Sequence, residues 1–304
     1  MFSGQTLRSL PQEFTVFVDT LFRLLARLPL AWLHRLGGWA GWLAYAASPS
    51  YRRRLRHNLQ SALGRLDSAI LHTAVAESGR QALELPWLWL RPAEEVVASV
   101  VRVEGWEWVE AAQRESAGIL FITPHLGCFE ITAQYFASHA PVTVLYRPPR
   151  NRALEPLMQA GRVRGRMQTA PADLSGVRKL VKTLRSKEAV GMLPDQVPGA
   201  GEGVWADFFG RPAWTMTLAA RLSEVKGVHV IYCWAERLPR GQGYVFRLSG
   251  PTEPLEGPLE QRVAIMNREV ERLILQCPGQ YIWGYNRYKK PRSARAAADE
   301  AEAP

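Results

Sequence analysis

The sequence predicts an α/β fold: a central mixed, largely buried sheet flanked by helices, with an apolar helical segment at the N-terminus. Three observations lead there. Short β-branched or apolar runs alternate with longer helical stretches from residue 119 onward. The chain has 304 residues and is 47% hydrophobic, enough for a sizeable core. Residues 14–47 are its most apolar stretch.

That stretch is interrupted by Asp19, Arg23, Arg27, His34 and Arg35, and its longest uncharged run, residues 36–51, falls short of the roughly 20 residues that span a bilayer. A tilted or in-plane amphipathic anchor fits better than a transmembrane helix. Arg52, Arg53, Arg54 and Arg56 follow at once, and such a cluster beside an apolar segment suits anionic headgroups on a cytoplasmic face. A buried helical hairpin followed by a solvated basic face would read the same way. Residues 69–90 read as helix, ending near Pro86 and Pro92. Runs at 119–123, 142–146, 189–193, 228–234 and 244–248 read as strands, and 130–139, 153–166, 174–186 and 215–226 as the helices between them. A long amphipathic helix covers about 259–276, and the Ala-rich charged tail 293–304 reads as disordered. The expected organisation is a membrane-attachment segment over 1–60, a main domain over 61–292 and that tail.

A formal charge of +10 and a pI near 9.8 imply an anionic partner: nucleic acid, acidic lipid or acidic protein. The 11 tryptophans, set with arginines beside apolar runs, favour a membrane interface, and no RNA-binding signature is present, so nucleic acid is not expected. Cys128, Cys233 and Cys277 are too few and scattered for a disulfide framework and form no Cys-x-x-Cys pair. A reducing, cytosol-facing location follows, with no metal or cofactor expected.

Phe121-Ile-Thr-Pro-His-Leu-Gly-Cys-Phe-Glu130 holds a His-x4-Glu pair. His72 also has a glutamate five residues on, Glu77, but inside a helical pattern, where neighbours are three or four apart. His125 instead follows a buried strand and Pro124, with Gly127 permitting a tight turn before a new helix. Loops at the carboxyl ends of strands are where α/β sheets gather ligands. An imidazole there can take a proton from an attacking alcohol while a carboxylate fixes its tautomer, help worth roughly 10²–10⁴ in rate. Backbone N–H groups around Gly127 and the start of the following helix are candidates for an oxyanion. Two other readings stay open: Cys128 as a thiol nucleophile activated by His125, and a basic membrane adaptor without catalysis.

His125-Leu-Gly-Cys-Phe-Glu130 resembles the His-x4-Asp/Glu box of the glycerolipid acyltransferase superfamily. More closely, the chain resembles the bacterial lipid A biosynthesis acyltransferases, through Arg54-Leu-Arg-His-Asn-Leu59, Tyr146-Arg-Pro-Pro-Arg150, Asp195-Gln196, Gly203-Val-Trp-Ala-Asp-Phe-Phe-Gly210, Ala213-Trp-Thr215 and Tyr281-Ile-Trp-Gly-Tyr-Asn-Arg-Tyr-Lys289. The resemblance implies His125 as general base oriented by Glu130, acyl carrier protein as donor and a lipid A precursor as acceptor, at the cytoplasmic face of a bacterial inner membrane. It implies that Arg147 and Arg150 face acceptor phosphates, that Asp195 and Gln196 brace the wall of the site, and that Arg287 and Lys289 bind phosphate or headgroup. Phe208, Phe209 and Trp214 would either line an acyl groove or fill the core. Another glycolipid or phospholipid acceptor, or acyl coenzyme A as donor, would fit the same resemblance.

Overall fold

A computed structural model describes residues 12–147, 155–199 and 201–289. Arg150 and the tail from 293 lie outside the described residues. The five expected strands form: four pair as a parallel block and the fifth runs antiparallel at its side. In spatial order the sheet runs β1 (Val100–Glu104), β9 (Tyr244–Ser249), β8 (Val228–Arg237), β2 (Gly118–Ile122), β5 (Ala189–Met192), β3 (Val142–Tyr146) and β4 (Met167–Pro171). From β8 to β4 every neighbouring pair is parallel; β9 is antiparallel to β8, and β1 parallel to β9, so the sheet is mixed as expected.

Strand periodicity sorts the core. Leu120, Ile122, Val190 and Met192 join one apolar cluster with Leu180 and Leu184 of α10 (Leu174–Arg185) and Val270 and Leu273 of α12 (Leu259–Gln276). Ile119, Phe121 and Ala189 face the other way, with Val109 of α7 (Glu107–Arg114) and Phe136 of α8 (Phe129–His139). β2, central and packed on both faces, is buried at all five residues, which is why it reads as one apolar run.

The sequence missed β1 and β4, the two edges, whose partial exposure dilutes the apolar signal. It also missed the hairpin of β6 (Gly203–Phe208) and β7 (Arg211–Met216), which takes the start of the helix expected over 215–226 and leaves only α11 (Leu218–Leu222). The helix expected over 69–90 is two, α4 (Ser68–Leu83) and α5 (Leu85–Leu90), parted where Pro86 lacks the N–H to continue.

α1 (Gln12–Ala26), α2 (Leu30–Ala47) and α3 (Pro49–Leu63) make up the N-terminal segment. No packing boundary falls at residue 60. Leu55 and Leu59 are wholly buried in the main core, and Asn58 donates to the carbonyls of Trp283 and Tyr285. α2 lies against α4 through glycine: a Cβ at Gly79 would come within 2.0 Å of the Gly37 carbonyl oxygen and 2.4 Å of the Gly41 nitrogen. None of the described helices is long and apolar enough to cross a membrane. α2 does expose Trp32, Leu36, Trp39 and Leu43, at i, i+4, i+7 and i+11 on one face, and α1 exposes Phe17, Leu21 and Leu24.

Candidate active site

β2 delivers its chain to Thr123 and Pro124, and the turn from His125 to Cys128 reverses it into α8. Gly127 is required there. Its φ is +59°, and a Cβ would sit 2.0 Å from the Ala235 carbonyl oxygen. The turn is tied down on its far side: Gly127 N–H donates to Gln280 O, Cys128 N–H donates to Ala235 O, and the Gly127 carbonyl accepts from Gln81 Nε2 and Arg237 Nη2. With its N–H committed, Gly127 is not a free oxyanion donor, contrary to the sequence expectation.

Behind the turn lies a buried ionic cluster that sequence reasoning missed. Arg237, at the end of β8, is bonded through Nε to Glu84 Oε2 at 2.8 Å, through Nη1 to Glu77 Oε2 at 2.5 Å, and through Nη2 to Glu84 Oε1. His34 of α2 and the Tyr244 hydroxyl also reach Glu84 Oε2. Burial alone would raise the Glu84 pKa, yet Arg237 and His34 bring it down to about 2. Nothing in the spacing of Glu77, Glu84 and Arg237 forecasts their meeting, because α4 and β8 are brought together only by the tertiary fold.

His125 faces the other side of the turn. Its backbone N–H donates to Asp195 Oδ2 at 2.9 Å, and its Nδ1 lies 2.7 Å from Asp195 Oδ1. An ionised carboxylate only accepts, so Nδ1 carries the proton and Nε2 presents a lone pair. The Gln196 side-chain nitrogen meets that lone pair at 3.0 Å. Asp195, just past β5, is fully buried. Burial pushes its carboxyl up, but the His125 charge, the two hydrogen bonds and nearby Arg287 hold it below its ordinary value.

Glu130 does not take the expected part. It accepts from Arg162 through both guanidinium Nε, at 3.1 Å, and Nη2, and from Trp89 Nε1 at 3.3 Å. The His125 orienter is Asp195, expected only to brace the wall. The reason is geometric: Glu130 starts α8 and aims toward Arg162 of α9 (Glu155–Arg162), whereas the loop after β5 runs beside the loop after β2 because the two strands pair. Arg162 works against its own burial, and the Glu130 charge more than offsets that, raising its pKa.

His125, Glu130, Arg162 and Gln196 all border one cavity of about 310 Å³ between the sheet and α8–α9, whose lining is largely apolar, including Phe121, Phe136, Val144 and Phe246. Arg147 is at its mouth, well exposed, with Glu202 at 3.6 Å. Three other residues singled out from the sequence lie outside the cavity lining. Arg287 is buried and spent on the Trp214 carbonyl and Thr215 Oγ1 beneath Asp195, so it faces no headgroup. Lys289 lies over the Tyr285 ring, outside the cavity lining. Phe208 packs in the core rather than along the cavity. Cys128 is buried, and burial, with the Glu84 charge adding to it, pushes its thiol well above the usual range, the opposite of an activated nucleophile. Among the described residues no cluster of three or more His, Cys, Asp or Glu side chains could hold a metal ion.

A strand-end histidine with a buried carboxylate behind it and an apolar cavity before it can accept a proton next to a hydrocarbon chain. Comparison with known proteins points the same way. Residues 1–290 match the family model described as bacterial lipid A biosynthesis acyltransferase. The chain is similar to the lipid A biosynthesis lauroyltransferase of Escherichia coli strain K12, 27% identical over 273 residues, 88% of each chain. It is similar to the palmitoleoyltransferase of the same strain, 26% identical over 251 residues, 80% of this chain and 81% of that one. A lipid A biosynthesis acyltransferase of Haemophilus influenzae is 26% identical over 280 residues, 88% of each.

Proposed function

This chain belongs to the bacterial lipid A biosynthesis acyltransferase family, and on that premise we propose that it transfers a fatty acyl chain from an acyl carrier protein thioester to a hydroxyl of a lipid A precursor. The observation that carries the reading is the clamp of Asp195 on His125 Nδ1, which leaves Nε2 as a base at the rim of an apolar cavity.

The acyl chain lies in the cavity with its thioester carbonyl near His125. The acceptor hydroxyl replaces the Gln196 amide as the partner of Nε2, an exchange of one hydrogen bond for another. As the hydroxyl oxygen attacks the carbonyl carbon, Nε2 takes its proton, and Asp195 stabilises the imidazolium. The tetrahedral intermediate collapses with cleavage of the carbon–sulfur bond, and the leaving thiolate takes the proton back. N–H groups in the first turn of α8, whose N-cap Cys128 gives no side-chain cap, supply donors for the oxyanion in place of Gly127. Arg147 at the mouth meets anionic groups of acceptor or donor, and the net charge of +10 suits an acidic carrier protein as well as a phosphorylated lipid.

The protein is seated at the cytoplasmic face of the inner membrane by the exposed apolar stripes of α1 and α2, lying in the interface with the α3 arginines toward the phosphates. The deciding experiment is mass analysis of lipid A from cells lacking the protein, complemented by wild type or His125→Ala. Loss of one acyl chain, restored only by wild type, is expected. An unchanged lipid A in the deletion strain refutes the acceptor, and restoration by His125→Ala refutes the base.

A further inference from the structure

We propose that Gly191 sets the length of the acyl chain this enzyme accepts; the inference rests on the reading of the cavity as the acyl site. Gly191 is the middle of β5, opposite Phe121 of β2 on one side and Val144 of β3 on the other. A glycine inside a central strand is unfavourable, since it adds chain entropy to the unfolded state and packs nothing. It needs a local reason, and the usual two are missing.

The backbone supplies neither. Gly191 is not among the residues of positive φ, so any side chain could adopt its conformation. Close approach does not demand it either. Gly118 in β2 would bring a Cβ to 2.4 Å from the Leu184 carbonyl oxygen, and Gly176 in α10 to 1.7 Å from that of Pro171. At Gly191 the one heavy atom within 4 Å is Val144 Cγ1, at 3.1 Å, a side-chain contact that a shift of a few tenths of an ångström relieves, against the backbone clashes at Gly118 and Gly176. What the missing side chain leaves is open space, and that space is the cavity, which Gly191 lines.

Its position along the cavity gives the space a meaning. His125 follows the carboxyl end of β2, and Gln196 and Arg147 stand at the same end of the sheet. Val142, which pairs with Ala189 and so lies one step farther from His125 than the Val144–Gly191 pair, also lines the cavity, together with Phe136 and Phe246. Gly191 is therefore midway between the reacting end and the apolar floor. A branched side chain there would cut the floor off from the mouth while leaving His125, Asp195 and Gln196 in place.

The test compares wild type, Gly191→Ala and Gly191→Val as full-length protein on saturated acyl carrier protein thioesters of stepped chain length, and on free fatty acids of the same lengths by calorimetry. Because each methylene that no longer fits costs about 10–200-fold, Gly191→Val should lower kcat/KM for the longest accepted donor about tenfold or more relative to shorter ones. Gly191→Ala should move the same way by less, which guards against a valine variant that fails to fold. A length profile unchanged in both variants overturns the proposal, whether the rates fall uniformly or hold. The binding arm separates the two ideas. If wild type transfers no acyl group, the proposed activity is wrong, and the fatty acid length profile still decides the part played by Gly191.

Discussion

Asp195 holds His125 at two points: the ring Nδ1–H and the backbone N–H of the same residue both donate to its carboxylate, at 2.7 and 2.9 Å. Position and tautomer are thus fixed by one buried side chain. Asp195→Asn keeps the shape, but its amide can offer Nδ1 an N–H, which turns the ring to the tautomer whose Nε2 is already protonated. Turnover should fall by roughly 10²–10⁴, with the donor KM and the melting temperature changed little. Near wild-type turnover in a folded Asp195→Asn would remove Asp195 from the proton transfer.

Glu130 should behave differently, because its hydrogen bonds go to Arg162 and Trp89. Glu130→Gln leaves a largely buried guanidinium without its counter-charge, and breaking such a pair costs up to about 3–5 kcal/mol, less here because Arg162 is 20% exposed. Denaturant unfolding should show that loss, and the donor KM should rise as the cavity wall loosens. A stable Glu130→Gln protein with unaltered KM and a turnover as low as that of Asp195→Asn would mean that Glu130 is the carboxylate that serves His125.

These two carboxylates mark what was legible in the sequence. The strand-to-turn-to-helix setting of His125 could be read locally, from an apolar run, Pro124 and Gly127, and the five buried strands announced themselves by composition. The partner could not, because Glu130 is five residues from His125 and Asp195 is 70 away, and only the pairing of β2 with β5 decides between them. Arg162 and Arg237 were invisible for the same reason: an arginine in an amphipathic helix or at a strand end gives no sign that a buried glutamate awaits it. Arg287 erred the other way, since a basic terminal motif says nothing about which cation turns inward.

Trp39 and Leu43 are 78% and 71% exposed on the outer face of α2. Burying one such side chain in the interface is worth about 1.5–3 kcal/mol, so Trp39→Glu with Leu43→Glu should weaken binding to anionic phospholipid vesicles by well over tenfold without unfolding the protein. Cosedimentation measures it. Equal binding by wild type and the double variant would mean that this face does not meet the membrane.

The Glu84 carboxylate ties stability to pH. Its pKa in the folded protein is brought to about 2 from an ordinary 4.5, so the folded state binds its proton less readily than the unfolded chain does. The stability this contributes, on the order of 3 kcal/mol, is complete above about pH 4.5 and drains away as the pH falls through about 2. Other carboxylates titrate in the same range, Asp195 among them, so wild type alone cannot isolate the effect. Glu84→Gln can, because it removes the titrating group while keeping its size. At neutral pH the variant should be less stable than wild type in urea, and the gap should narrow steadily as acid protonates Glu84 in the wild type. A constant gap from neutral pH down to about pH 2 would show that the Arg237–Glu84 pair contributes through packing and hydrogen bonds alone.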